Sequence, residues 1–504
     1  MFKSLLSVGG FTLLSRLTGF VRDVFITAIL GQNDLSDAYN VAARLPNQFR
    51  AIFGEGAFNA AFTPAYSRVL EQGGRAQALG FSAQIFSMLL FSQLFFLALA
   101  YIFMPGLVYL LASGYAEETS KFVLTTALSR ITFPYLLCMT LVTYYSALLN
   151  VHRQFAVAAF APVLMNVAIV AFLLAAHLFP NAAYAASWGI LVSGVAQLAL
   201  LAWSVGRLGL LTRIVRPKLT RDVGHFFRAL GPAVIGSAGV QIAILADTQM
   251  ASFLGTGALS SISNADRLYQ LPIGVIGIAA GTVLLPQMSR MRAAGQQAAA
   301  FAAQNRVMAV SLALGMPFCV AFLTIPDVIM QGAFMRGKFD AAAAHASAEV
   351  LAAYAVGLLA IVLIRSVVAS FLSIGDTRTP MLISLFALAI NIGLKFVLSR
   401  TMGASGLALA TAIGAFINVG LLFYFAVKWN LMRVDDTLVK AGFCTAAGAF
   451  GLNVLALMGS AILQNSTRFG PEVKLVIAGC AGGLVYGAIF IVAARALKLR
   501  LNLR

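Results

Sequence analysis

The chain has 504 residues, 60% of them hydrophobic and only 10% charged, with a formal net charge of +18 and a mean hydropathy of +0.90. Soluble domains run about 45–50% apolar and about 25% charged, so this composition excludes a water-soluble enzyme and an intrinsically disordered chain. Cys138, Cys319, Cys444 and Cys480 all sit inside apolar runs without a CxxC pair, which speaks against a disulfide framework, a zinc site or an iron–sulfur cluster.

The first apolar stretch carries Arg16, Arg22 and Asp23, and no small-residue cleavage site follows it. It therefore reads as a polar first transmembrane helix and not as a signal peptide. Apolar runs separated by polar or Gly/Pro breaks then predict fourteen spans: 4–30, 35–64, 80–112, 121–149, 155–178, 183–206, 224–253, 262–288, 305–326, 345–374, 380–399, 405–427, 438–463 and 473–495. Inside a bilayer every backbone polar group must be satisfied internally, and runs this long and this uniformly apolar are helices and not barrel strands. The expected fold is an all-α polytopic membrane protein.

Charge supports an even number of spans. Loops after even-numbered spans are basic, above all the stretch with Arg207, Arg213, Arg216, Lys218, Arg221 and Arg228; the opposite loops, such as GQNDLSD at 31–37 and LGTGALSSISN at 254–264, are poor in Lys and Arg. One opposite loop, with Arg336 and Lys338, is mixed. In all, 21 of the 35 basic residues fall on one side and six on the other. The positive-inside rule then places both termini in the cytoplasm. On this reading the basic excess marks topology and attraction to anionic lipid; no nucleic-acid partner is expected.

An internal repeat is visible. PAYSR (64–68) ends the second span and PQMSR (286–290) the eighth; SALLNVHRQF (146–155), followed by Asn166, matches SFLSIGDTRTP (370–380), followed by Asn391. The offset corresponds to six spans, which gives two six-helix lobes in parallel orientation. The predicted organisation is a first lobe at 1–206, a basic cytoplasmic linker at 207–223, a second lobe at 224–427 and two C-terminal helices within 428–504.

Eight basic residues remain within predicted spans: Arg16, Arg22, Arg44, Arg50, Arg130, Arg267, Arg365 and Lys395. A charge at mid-membrane costs about 2.5–3.5 kcal/mol on an insertion scale, so such residues face water or a partner unless they snorkel to an interface. Arg16 and Asp23 are seven residues apart on one helical face, as are Asp37 and Arg44. Several arginines with fewer acids suggest an anionic ligand, and the planar guanidinium fork suits phosphate. Glycines and prolines soften the second and eighth spans. The four histidines are dispersed, and no HExxH, GxSxG or P-loop motif occurs. The chain is therefore not expected to be an enzyme or to carry a cofactor, and any transport draws on an ion gradient, the membrane potential or the substrate gradient.

The segments SRLTGFVRD (15–23), SDAYNVAARLPNQFRAIFGEGAFNAAFTP (36–64) and NADRLYQLPIGVIGIAAGTVLLPQMSR (264–290) closely resemble the MurJ (MviN) family of lipid II flippases. That family belongs to the multidrug/oligosaccharidyl-lipid/polysaccharide exporter superfamily. The resemblance implies a multi-pass bacterial inner-membrane protein that moves the undecaprenyl-pyrophosphate-linked peptidoglycan precursor outward by alternating access. Membrane lipids would be further partners, and cell-wall synthesis proteins are candidate ones. It implies a cationic central cavity, with the family's arginines on Arg16, Arg22, Arg50 and Arg267 and its acids on Asp23, Asp37 and Glu55, and a lipid-tail groove on the last two helices, including Phe443, Phe450, Ile477 and Phe490. Export of another lipid-linked oligosaccharide or of drugs is the alternative. Cation-coupled exporters of the superfamily can keep an ion site in the second lobe, for which Asp247, Asn391, Lys395 and Thr411 are the candidates here. Lys395 stands where a carboxylate would be expected, so its ammonium, paired with Asp247, would replace a sodium ion.

Overall fold

The computed structural model describes residues 2–50, 57–465 and 469–499; inside helices, side chains are described except at 2–8, 48–50, 57, 60, 232–240, 242–243, 278–280, 282 and 460–465. Glu55 and the side chain of Arg50 lie outside the described residues. The described secondary structure is helical throughout, and the chain divides into two compact units, Met1–Gly257 with Arg336–Lys338, and Ala258–Met335 with Phe339–Arg504.

The first unit contains α1 (Phe2–Leu30), α2 (Asp34–Arg50), α3 (Ala57–Ile102), α4 (Met104–Leu111), α5 (Thr119–Thr132), α6 (Tyr135–Val151), α7 (Phe155–Leu174), α8 (Ala182–Arg207) and α9 (Arg221–Ala251). Each predicted span through the seventh has its helix. The helix α3 joins the end of the second span to the third because Gly74, at φ 71 and ψ −178, breaks the helical path in a conformation that glycine adopts without steric cost. Polar residues start later helices: Asn181 accepts from the amides of Ala183 and Tyr184 at α8, and Thr220 from Val223 at α9. Both satisfy amides with no partner inside the helix.

The core of this unit is aromatic. Phe62, Tyr66, Tyr144 and Phe226 are fully buried, with Phe62 stacked on Tyr66 at 5.6 Å and edge-on to Phe226 at 6.4 Å. The Tyr144 hydroxyl is satisfied by Ser82 and, at 2.8 Å, by Thr212. Through Phe226 the helix α9, expected to open the second lobe, packs on α3 within the first unit. The basic segment between α8 and α9 is extended and fixed along α3: Arg75 donates to the Leu208 carbonyl at 2.7 Å, the Val215 amide to Ser87 at 2.9 Å and the Lys218 amide to Gln84 at 2.7 Å.

The second unit contains α10 (Ala258–Pro272), a wide π-helical turn (Ile273–Gly277), α11 (Ile278–Ala293), α12 (Gln297–Thr324), α13 (Pro326–Phe334), α14 (Ala341–Leu372), α15 (Arg378–Lys428), α16 (Asp436–Asn465) and α17 (Pro471–Ala496). The helix α14 packs against α10, α12, α13 and α15, and α16 packs on α12 and α17. Asp340 caps α14 through the Ala343 amide at 2.8 Å. The 51-residue α15 holds the predicted eleventh and twelfth spans, which turn back on each other at Gly403 (φ 59, ψ −132). At the periphery, Tyr486 of α17 donates to the Ala313 carbonyl at 2.7 Å, while Leu484, Val476 and Val492 are exposed. Exposed apolar side chains on a helix of this length are the surface a bilayer covers.

Candidate functional site

In the first unit the charged residues of α1 meet a polar residue of α7. Arg22 donates to the Asp23 Oδ1 from Nε at 3.1 Å and from Nη2 at 2.8 Å, and to the Asn166 Oδ1 from Nη1 at 3.0 Å. Asn166 is itself fixed, its amide donating to the Ser15 carbonyl at 2.9 Å and to the Thr18 hydroxyl at 3.0 Å. Gly19 lies against it: a Cβ there would be in ordinary contact, 3.5 Å from the Asn166 Nδ2. A guanidinium has five N–H donors, so this clamp orients Arg22 and leaves two free to grip an anion. Asp23 is buried, at 8% exposure. Its side chain sits on the adjacent Arg22, where helical spacing had pointed to Arg16; Arg16 itself is exposed on α1.

A second cluster gathers at the start of α2. The Lys121 ammonium of α5 lies 2.8 Å from Asp34 and 3.2 Å from Asp37, with the Tyr115 ring 4.5 Å away. Thr256 donates to Asp34 and the Gly257 amide to Asp37, each at 2.8 Å. Asp34 lies just outside the predicted span; burial would raise its carboxyl, but hydrogen bonds from Lys121 and Thr256 hold it below its ordinary value. Asp37 is thus a structural anchor for the segment that leads out of α9. Arg44, one helical face along, donates to the Thr248 hydroxyl at 3.1 Å. Sequence reasoning did not single out Lys121, the first residue of the fourth predicted span.

In the second unit, Arg267 is half-buried on α10. Its neighbour Asp266 accepts from Gln270 at 2.6 Å, and Tyr269 stacks on Tyr354 of α14 at 4.9 Å. Lys395 is 1% exposed and Asn391, one turn earlier on α15, is 9% exposed. Asn391 is packed where the two halves of α15 touch: a Cβ on Gly414 would come within 2.8 Å of its Nδ2. The Thr411 hydroxyl donates to the Leu407 carbonyl of its own helix at 3.1 Å. Asp247 is half-buried on α9, in the first unit. Among the described residues no group of three His, Cys, Asp or Glu is placed to hold a metal ion.

Of the C-terminal aromatic and aliphatic residues, Phe443, Phe450 and Ile477 are exposed. Phe490 is packed instead, stacked on Tyr486 beside Val320 and Leu452.

Comparison with known proteins gives a consistent answer. A family model described as "Lipid II flippase MurJ" matches residues 26–482. A "Probable lipid II flippase MurJ" of Rhizobium meliloti is 38% identical over 95% of this chain and 92% of its own length. A "Lipid II flippase MurJ" of Burkholderia cenocepacia is 32% identical over 84% of this chain and 83% of its own. Among solved structures, a lipid II flippase MurJ in an inward closed conformation superposes with a TM-score of 0.82 at 24% identity, covering 97% of this chain and 99% of that one. An inward-facing multidrug transporter of the MATE family superposes at 0.70 with 12% identity, covering 84% and 98%; at that identity the likeness is one of fold.

Proposed function

The chain belongs to the MurJ family of lipid II flippases, and from that premise we propose that its intramembrane arginines carry the substrate's pyrophosphate across the bilayer. It is a fourteen-helix polytopic membrane transporter of peptidoglycan biosynthesis. Lipid II joins an apolar polyprenyl tail to a pyrophosphate and a polar disaccharide-peptide. The pyrophosphate cannot enter some 30 Å of hydrocarbon unaccompanied.

The observation that carries the reading is the Arg22 clamp: a guanidinium fixed by Asp23 and Asn166, with donors left over, on the first of the motifs shared with the family. Arg267 on the repeat-related eighth span, together with Arg16 and Arg50, supplies further cationic contacts as the transporter alternates its access. The exposed faces of α16 and α17 around Phe443, Phe450 and Ile477 hold the polyprenyl tail. The membrane is the bacterial inner membrane, both termini are cytoplasmic, and movement is outward. The test is complementation in a depletion strain. Arg22→Ala, expressed to the normal level, should not support growth, and lipid II should accumulate in the cytoplasmic leaflet; normal growth would overturn the assignment.

A further inference from the structure

A cavity of about 380 Å³ lies in the first unit, walled by α3 and α4 on one side and by the junction of α5 and α6 on the other. Both walls are broken helices. The helix α3 gives way to α4 at Phe103, two residues before Pro105, and α5 gives way to α6 at Pro134; a proline has no amide hydrogen to continue the helical ladder. Residues on either side of both breaks, Ala100 and Leu107, Phe133 and Leu136, line the cavity. Ala100, Phe133 and Leu136 are buried and form its floor, while Phe96 and Phe103 are exposed at its mouth. Exposed aromatic side chains on a spanning helix face lipid, so the cavity opens sideways into the bilayer.

Gln93 is the polar member of this lining. It is 9% exposed, and among the described residues no hydrogen bond holds its amide. Polar groups in similar settings are satisfied: Ser92 donates to the Leu89 carbonyl at 3.0 Å, and Gln197 of α8 to the Ser193 carbonyl at 3.2 Å. No Asp, Glu, Lys or Arg occurs between Arg75 and Glu117, so α3 and α4 bring no charge to the amide. A bare amide in an apolar wall is costly. Water does not relieve it, because a buried water needs roughly two to four polar partners and this lining offers one polar side chain. From Gln93 to Leu107 the lining climbs roughly 21 Å at 1.5 Å per residue. That exceeds half of the ~30 Å of hydrocarbon that two lipid chains fill end to end, so the slot takes one extended chain.

We propose that this slot is a binding site for a single-chain lipid with an uncharged hydroxyl or carbonyl head. The head hydrogen-bonds the Gln93 amide, and the chain runs along α3 and α4 toward Leu107, over Ala100, Phe133 and Leu136. An amide both donates and accepts, so it serves either head, whereas a charged head would find no counter-ion on α3 or α4. None of Arg22, Asp23 and Asn166 lines the slot, which is separate from the charged clamp of α1 and α7.

The full chain is placed in phosphatidylcholine nanodiscs with hexadecanol carrying a photoreactive diazirine along its chain, or with the matching hexadecane, and cross-linked positions are read by peptide mass spectrometry. The alcohol should label residues 93–107 and 133–136 saturably, ahead of the exposed Val476 and Val492 of α17, which measure bulk lipid contact. The alkane should label the slot several-fold less. Gln93→Leu should raise the half-saturating alcohol concentration about three- to tenfold, the scale of one uncharged hydrogen bond within a bilayer. Ala100→Phe, which fills the floor, should abolish saturable labelling. Equal labelling by alcohol and alkane would overturn the inference, as would labelling no stronger than on α17, or Gln93→Leu within twofold of the wild type. Melting temperature separates a ligand-binding amide from a structural one. Without the probe, Gln93→Leu should melt at or above the wild type, because an amide without a partner adds nothing to the fold; a lower value would place its partner inside the protein and would also overturn the inference. If Ala100→Phe does not fold, the Gln93→Leu measurements decide alone.

Discussion

The ammonium of Lys121 lies 3.2 Å from the Oδ2 of Asp37, and both side chains are almost completely withdrawn from solvent, at 3% and 2% exposure. The same carboxylate oxygen accepts the Gly257 amide at 2.8 Å. One desolvated pair thus ties α2, α5 and the segment leaving α9 into a single knot. Its Coulombic attraction is strong because little water screens it, and each partner would be costly alone.

Breaking this pair from one side should therefore be worse than removing it. Lys121→Met or Asp37→Asn alone is expected to cost about 3–5 kcal/mol, as for other buried pairs that lose one member. The double variant should recover part of the loss. Thermal unfolding of the detergent-solubilised protein measures this; single-variant effects that simply add would show that the pair is not coupled.

Asp34 gives the same knot a pH dependence. Its folded-state value lies below the ordinary carboxylate value of 3.8 because Lys121 and Thr256 hydrogen-bond the charged form. A depressed carboxylate stabilises above its unfolded value, and the contribution disappears as pH falls through the folded one. The protection of residues 254–257 against hydrogen exchange, taken relative to the intrinsic rate at each pH, should accordingly be flat from neutrality to about pH 4 and fall below it. Asp34→Asn should remove that fall. Asp34 is 41% exposed, so the effect is local and not global unfolding.

Apolar run length was enough to read an all-helical polytopic membrane protein, because a bilayer leaves few alternatives to helix. What it could not show were the joints. Gly74 joins the end of the second span to the third, and Gly403 the eleventh to the twelfth, since a single positive-φ glycine redirects the chain without a loop. The arginines of the candidate site were legible from their depth, but their partners were not. Helical spacing governs where Cβ atoms lie, whereas the long Arg22 side chain folds back on its neighbour Asp23. Lys121 was hidden for a related reason. Only the tertiary fold brings positions 34, 37, 121 and 257 together.

The Asn166 clamp predicts a positioning effect on transport. Asn166→Leu removes the acceptor for the Arg22 Nη1 and the donors to Ser15 and Thr18 while leaving the charge in place. Flipping in vesicles should fall by at least tenfold, with Arg22→Lys similarly impaired because an ammonium has no fork. Arg22→Ala should be worse still, since losing one side of a desolvated charged contact costs about 2–5 kcal/mol. Equal activity of Asn166→Leu and wild type would show that Arg22 does not depend on the clamp.

The C-terminal pair offers a prediction that separates packing from tail binding. Phe450 is 73% and Phe443 65% exposed, so the double Ala variant should melt within a degree or two of the wild type. A photoreactive polyprenyl pyrophosphate should nevertheless label it less. Phe490, packed on Tyr486 and beside Leu452, should behave oppositely: Phe490→Ala removes that packing and should lower the melting temperature while leaving the labelling unchanged. Unchanged labelling of the Phe443/Phe450 variant would move the tail site off α16.

Lys395 carries the prediction about coupling. Its side chain is among the largest fully buried ones, which excludes the snorkelling pose that a long cation near a span end usually takes. One turn before it, the Asn391 amide is packed against Gly414, and Thr411 lies one turn before Gly414 on the returning half of α15. The oxygens of Asn391 and Thr411 are of the type that hard cations favour, but a buried ammonium on the same face supplies a fixed positive charge that would repel a sodium ion. Transport by this chain should therefore proceed equally, within twofold, in sodium and potassium media of the same ionic strength. Replacing the ammonium by a carboxylate reverses the local charge, so Lys395→Asp should either lose activity in potassium and regain it in sodium, or fail to fold without sodium. Both are read by proteoliposome flipping and by melting temperature in the two salts. Strict sodium dependence of the wild-type protein would show that the ammonium does not stand in for the ion.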